Sequence, residues 1–243
     1  MRRGLKNPGF TLIELMIVIA IIAVIAAIAI PGLISSQRSS NERNASASLK
    51  TLASAEIDFR GNDRDGNKVQ DFWTLSVNGL FTLSPVGNTE PIKLIELSVA
   101  LADTSPLGGG PLNTANSYGL LTNYGLRSAK AAYWYRAMIT DENGLAYARV
   151  TNGGGLLGAA ADFNVSKFAF WCFPDSRSAG RNVFIINEGN TIYKRGVATA
   201  WVSLGAPYPV GIPAAASLVG AIAPVPTTWP TDAQMAADYG KMD

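Results

Sequence analysis

The stretch that decides the architecture is KNPGFTLIELMIVIAIIAVIAAIAIPGL, residues 6–33. Apart from its first residue it contains a single charged side chain, Glu14, and an unbroken apolar run of 16 residues follows directly. As a helix rising about 1.5 Å per residue, residues 10–30 reach roughly 31 Å. That length crosses a hydrocarbon core of about 30 Å. We therefore predict a transmembrane helix over residues 10–32.

Three basic residues and no acidic ones precede the apolar stretch: Arg2, Arg3 and Lys6. By the positive-inside tendency, we expect the N-terminus to stay in the cytoplasm while the rest of the chain crosses the membrane. Removing these three from the 20 basic residues leaves 17 against 18 acidic ones. The body of the chain is thus slightly acidic, and we expect no nucleic-acid partner.

Three interpretations of the apolar stretch are open. A secretory signal peptide would combine the basic start with a small-residue cleavage site at Ala27–Ala29. A plain single-pass anchor would need only the apolar length. Both leave Glu14 unexplained, although a carboxylate at the bilayer centre costs about 2.5–3.5 kcal/mol even by low estimates. The third interpretation accounts for Gly9, Phe10 and Glu14 together.

The sequence GFTLIE, residues 9–14, resembles the prepilin motif of the type IV pilin superfamily, which includes type IV pilins and type II secretion pseudopilins. The resemblance extends to the short basic leader, residues 1–9, and to Pro31, where the helix of family members kinks or melts. It implies that a prepilin peptidase cuts after Gly9 on the cytoplasmic side. The same enzyme would then methylate the new amine on Phe10.

The resemblance also implies a role for Glu14. In a filament, the apolar helices of many subunits pack into a core, and a carboxylate buried there needs an opposite charge. The amine of Phe10 in a neighbouring subunit would supply it. Such a pair fixes the register between subunits rather than adding much net stability.

Beyond the membrane segment, residues 33–60 read as an amphipathic continuation of the helix. Ala45, Leu49, Leu52 and Phe59 recur near helical spacing, and Gly61 is expected to end the helix as its C′ residue. The whole forms a spine with a weak point at Pro31. Its apolar stripe should lie on a globular head.

We assign this head to residues 61–200 and expect an α+β fold, with the spine packed on an antiparallel sheet. One face of the sheet would pack on the spine and the other would face solvent. A short helix is predicted at residues 91–102, capped near Thr89, and a loop at 105–126. Strands are predicted at residues 132–140, 145–151, 167–173, 182–187 and 191–194, with hairpin turns at DENG and EGN.

The C-terminal segment, residues 201–243, is rich in proline and alanine. Dense proline argues against central strands, so we expect an irregular segment packed on the head. A short helix is predicted near residues 231–239.

An oxygen-rich loop follows the spine, with side chains at positions 1, 3, 5 and 9 of a calcium-binding pattern. The Val69 carbonyl could supply position 7. Glycine falls at position 4 instead of 6, and Thr74 replaces the expected bidentate glutamate, so an Asp-Gly turn is the alternative. Calcium is the one cofactor that the sequence suggests. The side chains are Asp63, Asp65, Asn67 and Asp71.

Catalysis is not expected. The chain has no histidine and one cysteine, Cys172, which excludes an internal disulfide and the usual histidine-dependent triads. In FAFWCFP, Cys172 reads as a buried thiol. We found no phosphate-binding loop and no nucleophile elbow.

The sequence thus predicts a structural subunit of a type IV pilus-like or type II secretion pseudopilus filament. The resemblance implies four kinds of partner: further copies of itself, other pilins or pseudopilins, the prepilin peptidase and an inner-membrane assembly platform. Before assembly the chain would span the bacterial inner membrane once, with an extracytoplasmic head; the filament would be periplasmic or extracellular. The alternative is a membrane-anchored periplasmic binding or enzyme domain that does not polymerise.

Overall fold

A computed structural model describes residues 10–66, 68–74, 76–85, 88, 90–104, 124, 127–138, 141, 166–176, 178–197 and 229–242. One long helix precedes a small helical region and a sheet. The elements are α1 (Leu12–Gly61), α2 (Gly79–Thr82), α3 (Leu97–Leu101), β1 (Tyr133–Ala137), β2 (Ala169–Pro174), β3 (Asn182–Asn187), β4 (Ile192–Gly196), α4 (Asp232–Asp238) and β5 (Gly240–Lys241).

The described strands form one antiparallel sheet in the order β1-β2-β3-β4-β5, so each strand pairs with its neighbours in sequence. The register places Tyr135 opposite Cys172 and Cys172 opposite Phe184. α1 packs on β2 and β3. The predicted α+β fold, a long helix followed by an antiparallel sheet, is confirmed.

The continuous spine is confirmed, because α1 runs for 50 residues through Pro31. Buried residues begin at Ala45 and recur to Phe59, and they include the predicted Leu49 and Leu52. Their helical spacing comes from one face of α1 lying on the sheet.

The expected C′ role of Gly61 is wrong, since Gly61 is the last helical residue and does not adopt a left-handed backbone. Asn62 caps the helix instead, and its backbone N–H donates to the carbonyl of Asp58 at 3.1 Å.

Both faces of the central strands are buried, and here the expectation of one solvent-facing side is wrong. Residues directly opposite each other in an antiparallel pair share a face, so Tyr135, Cys172 and Phe184 lie on one side. Trp171 and its partner Ile185 lie on the other. All five are buried, and along β4 the side chains become more exposed.

The strands predicted at residues 132–140, 167–173 and 191–194 are confirmed as β1, β2 and β4, with small shifts in their bounds. Strand β3 has the predicted bounds, 182–187. The EGN hairpin is confirmed as the β3–β4 connection, in which Asn190 has φ 52°. The predicted strand at residues 145–151 and most of the DENG turn and of the loop 105–126 lie outside the described residues, as does Thr89.

The predicted helix at residues 91–102 is wrong in its first half, because only Leu97–Leu101 is helical. The backbone N–H groups of Ile92 and Leu94 instead donate to the carbonyls of Leu83 and Leu80, at 2.8 and 2.9 Å. These donors are satisfied by a neighbouring segment and not by the preceding turn of a helix.

The described end of the chain packs on the head. Helix α4 confirms the predicted short helix and begins with a capping box formed by Thr231 and Gln234. The ring of Trp229 lies 6.2 Å from that of Tyr193, and β5 pairs with β4. The predicted domain bounds, including 201–243, stay predictions.

A polar seam joins α1 to the turns of the sheet, formed by Arg38, Asn41, Glu42 and Lys50. Arg38 Nε donates to the carbonyl of Ser178 at 3.2 Å, and Asn41 Nδ2 to the carbonyl of Ala179 at 2.9 Å. Lys50 Nζ donates to the backbone and side-chain oxygens of Asn190.

Within this seam, Glu42 uses both carboxylate oxygens. Oε1 accepts from the backbone N–H of Arg181 at 2.7 Å, and Oε2 accepts from Asn182 Nδ2 at 3.0 Å. Asn182 is the first residue of β3, and Arg181 directly precedes it. Glu42 therefore holds the start of β3 at one position along the spine.

Replacing Glu42 with alanine should lower the free energy of unfolding by about 1.5–3 kcal/mol, the range for hydrogen bonds to a charged group. Urea denaturation of the full chain in detergent micelles measures this. Glu90→Ala is the matched control, because Glu90 is exposed; equal stability of the two variants would contradict a role for Glu42 in docking.

Candidate functional site

The N-terminus of α1 is organised around Thr11 and Glu14. Thr11 is the N-cap residue, and its hydroxyl accepts from the backbone N–H of Glu14 at 3.3 Å. The carboxylate turns back, so that Glu14 Oε2 accepts from the backbone N–H and the hydroxyl of Thr11 at 2.9 and 2.6 Å. This capping box holds the negative charge at the positive end of the helix dipole.

Phe10 precedes the capping box and is 80% exposed. The backbone N–H that Glu14 contacts belongs to Thr11, the residue directly after Phe10. The structure therefore places Phe10 and the carboxylate of Glu14 near each other at the N-terminal end of α1. Gly9 lies outside the described residues, so processing at Gly9 and Phe10 stays a prediction.

The first half of α1 is an exposed apolar surface. By length and composition this helix could cross a membrane, and none of its most apolar stretch is buried within the protein. We call residues 10–34 the apolar segment. Its exposed large side chains are Phe10, Leu12, Ile13, Leu15, Met16, Ile17, Val18, Ile19, Ile21, Ile22, Val24, Ile25, Ile28, Ile30, Leu33 and Ile34.

Pro31 lies inside α1, and the helix continues past it. Proline has no backbone N–H, so the carbonyl of Ala27 loses the donor that a regular helix would provide. Gly32 follows immediately, and nothing lies within 4 Å of the position where its Cβ would be. This pair is a weak point in the hydrogen bonding of the apolar segment.

The predicted calcium loop adopts a tight turn. Asp63 has φ 47°, and its Oδ2 accepts from the backbone N–H of Lys68 at 3.0 Å. The Val69 carbonyl accepts from the N–H of Asp71 at 3.1 Å.

No group of three or more His, Cys, Asp or Glu side chains in the described part of the chain could hold a metal ion. The carboxylates of Asp65 and Asp71 are buried, and Asn67 lies outside the described residues. Calcium binding to this loop stays a prediction.

A comparison with protein families concerns the same N-terminal region. Residues 5–30 match the family model described as the prokaryotic N-terminal methylation motif. Over 54 residues the chain is 54% identical to the type IV major pilin protein PilA of Myxococcus xanthus (strain DK1622).

The N-terminal segment is type IV pilin-like. The match covers 22% of this chain and 24% of the relative, so the chain spans about a quarter of the length of the pilin that it matches. No solved structure matches the chain. The family-model match, residues 5–30, therefore overlaps the exposed apolar helix.

Sequence reasoning missed two features of the pilin-like spine. The polar seam depends on partners about 140 residues away in the chain, which no local pattern reveals. Glu56 lies among buried apolar residues of α1 and is fully buried. A charged residue on the apolar stripe of an amphipathic helix was the available signal for Glu56.

Replacing Pro31 with alanine should restore the hydrogen bond to Ala27 and stabilise the helix locally by up to about 3 kcal/mol. Amide hydrogen exchange of residues 27–35, measured in detergent micelles, should slow. The control is Gly32→Ala, which gains about 1 kcal/mol of helix propensity without a new hydrogen bond. Similar exchange in the two variants would argue against the weak point at Pro31.

Proposed function

We propose that this chain is a structural subunit of a type IV pilus-like filament, cleaved after Gly9 and N-methylated on Phe10. The observation that carries the proposal is the spine itself. The apolar segment of this helix exposes a continuous apolar surface, and the single acidic residue within the segment, Glu14, sits in the first turn. Enzymatic activity is not part of this proposal.

The apolar segment needs a cover along its whole length. Burial of apolar surface contributes about 25 cal/mol per Å², so exposure of these side chains to water is strongly unfavourable. Lipid would cover the segment before assembly, in a single pass through the inner membrane. The same segments of neighbouring copies would cover it afterwards. Head-to-tail contacts of this kind extend into a filament instead of closing.

Glu14 supports the proposal through its position. Its carboxylate already contacts the backbone N–H of Thr11, one residue from where cleavage would create the Phe10 amine. Buried among apolar helices, this carboxylate requires an opposite charge. The amine of a neighbouring subunit, shifted along the axis, would provide that charge and fix the register.

The partners of this proposal are further copies, related pilins, the prepilin peptidase and the inner-membrane assembly platform. A secretion pseudopilus is the second candidate, favoured by the lone Cys172. This thiol is fully buried in β2, and burial raises the pKa of Cys172 well above its ordinary value. Because the sequence has a single cysteine, it cannot form the C-terminal disulfide that the resemblance associates with type IV pilins.

Intact-mass spectrometry of the chain, expressed in cells with a prepilin peptidase, should show loss of residues 1–9 and one added methyl group on Phe10. In cells without the peptidase, the full mass should persist. Cleavage after Ala29 would instead identify a secretory signal peptide. An uncut chain in peptidase-containing cells would identify a plain anchor.

Glu14→Gln should leave membrane insertion intact and lower the filament yield at least about tenfold. The variant would leave the Phe10 amine of the neighbouring subunit without its partner, and an unpaired buried charge costs several kcal/mol. Glutamine keeps an oxygen that can accept from Thr11, so the variant removes the charge and not the cap. Shed or sheared filaments are quantified by immunoblot, with Glu90→Gln as control. Wild-type yield from Glu14→Gln would overturn the charge pairing.

A further inference from the structure

A set of basic side chains lies where α1 leaves the apolar segment. Its members are Arg38, Arg43 and Arg181, and we call them the basic collar. Arg38 and Arg43 follow the last residue of the apolar segment, Ile34, by four and nine positions. At about 1.5 Å per residue, these positions are roughly 6 and 14 Å further along the helix axis. The collar therefore begins directly beyond the stretch that a membrane would cover.

The turn at residues 178–181 brings Arg181 to the same level of the spine. Arg38 Nε donates to the carbonyl of Ser178 at 3.2 Å, and the backbone N–H of Arg181 donates to Glu42 Oε1 at 2.7 Å. In the described part of the chain, Arg38 is the first residue of α1 that bonds to the head. Among the described parts of the head, this turn is therefore the one that is bonded nearest to the apolar segment.

The acidic side chains next to the collar are used by other groups. Both oxygens of Glu42 accept from uncharged groups at the start of β3. Asp175 Oδ1 accepts from the indole Nε1 of Trp134 at 2.8 Å. Within the described residues, no ion pair includes an arginine of the collar. Arg43 and Arg181 are exposed, so their guanidinium groups can meet an anionic partner from outside.

Depth along the helix decides which partner reaches the collar. A bilayer is about 40–45 Å thick with its headgroups and its hydrocarbon core about 30 Å, so each headgroup layer is roughly 5–8 Å deep. Arg38 falls within this layer when Ile34 marks the end of the core. Side chains of a helix lean toward its N-terminus, and long arginine side chains extend to the interface. The guanidinium of Arg43 therefore leans back toward the headgroups.

We propose that the basic collar docks the head on the phosphate groups of anionic phospholipids while the chain is still in the membrane. The proposal rests on the membrane stage of the proposed function. A guanidinium group binds phosphate oxygens through two parallel hydrogen bonds, and an anionic lipid surface attracts basic residues close to it. Docking would fix the orientation of the head on the bilayer and would end when the subunit leaves the lipid.

Amide hydrogen exchange of the full chain tests this docking in lipid nanodiscs of two compositions, phosphatidylcholine alone and phosphatidylcholine with phosphatidylglycerol. The amides of Ala179 and Arg181 report on the turn, because they donate to the carbonyl of Ser176 and to Glu42. In the anionic discs their exchange should slow about fivefold per docked arginine, the equivalent of about 1 kcal/mol each. At about 1 M salt, where the screening length is about 3 Å, the slowing should disappear.

Arg43→Gln and Arg181→Gln should each remove about fivefold of the slowing. Arg181→Gln keeps the backbone N–H that Glu42 accepts, so the polar seam stays intact. Lys93→Gln removes an exposed basic residue outside the collar and is the matched control, which should behave as the wild type. Equal exchange in the two kinds of disc, slowing that survives about 1 M salt, or slowing that persists without both arginines would overturn the docking.

A neighbouring copy is the competing partner for the collar. Slowing in phosphatidylcholine discs that hold two copies of the chain would assign the collar to that copy and overturn the docking on lipid. The discs contain neither peptidase nor filament, so failure of cleavage after Gly9 or of polymerisation would leave this result unchanged. A negative result in the discs would likewise leave the proposed filament standing.

Discussion

The whole arrangement depends on one constraint: a single helix of 50 residues must be covered along its entire length, and the head covers only its second half. Buried residues of α1 begin at Ala45, whereas the apolar segment before it is exposed on all sides. Apolar side chains in that number do not remain in water. A membrane or neighbouring copies must therefore complete the fold, and this incompleteness is the physical basis of the proposed polymer.

The polar seam decides where the covered half begins. Arg38, Asn41 and Glu42 each meet backbone or side-chain groups of residues 178–182, so the head is fixed on the spine just beyond the apolar segment. Glu42 and Glu56 show how burial changes the role of one residue type. Glu42 is half-buried and both its oxygens accept hydrogen bonds, whereas fully buried Glu56 has one satisfied oxygen and an acidic neighbour.

Much of the fold could be predicted from local patterns. The spine, its buried stripe, β3 and the EGN hairpin follow from spacing and turn residues that act within a few positions. The failures have a common cause. Residues 91–96 fit an amphipathic helix by their pattern, but the backbone N–H groups of Ile92 and Leu94 donate to carbonyls in or next to α2. Both faces of β1–β3 are buried, and a local strand pattern does not encode that second buried face.

The sequence by itself determined the candidate processing and assembly residues. Gly9, Phe10, Glu14 and Pro31 were proposed from a linear sequence motif, in which spacing along the chain is sufficient to assign a candidate role. Only the tertiary structure decided what Glu42 and Glu56 do, because their environments come from residues 17 to 140 positions away. A carboxylate's protonation and its partners depend on burial and on neighbouring charge, and both arise only once the helix, loop and sheet are packed together.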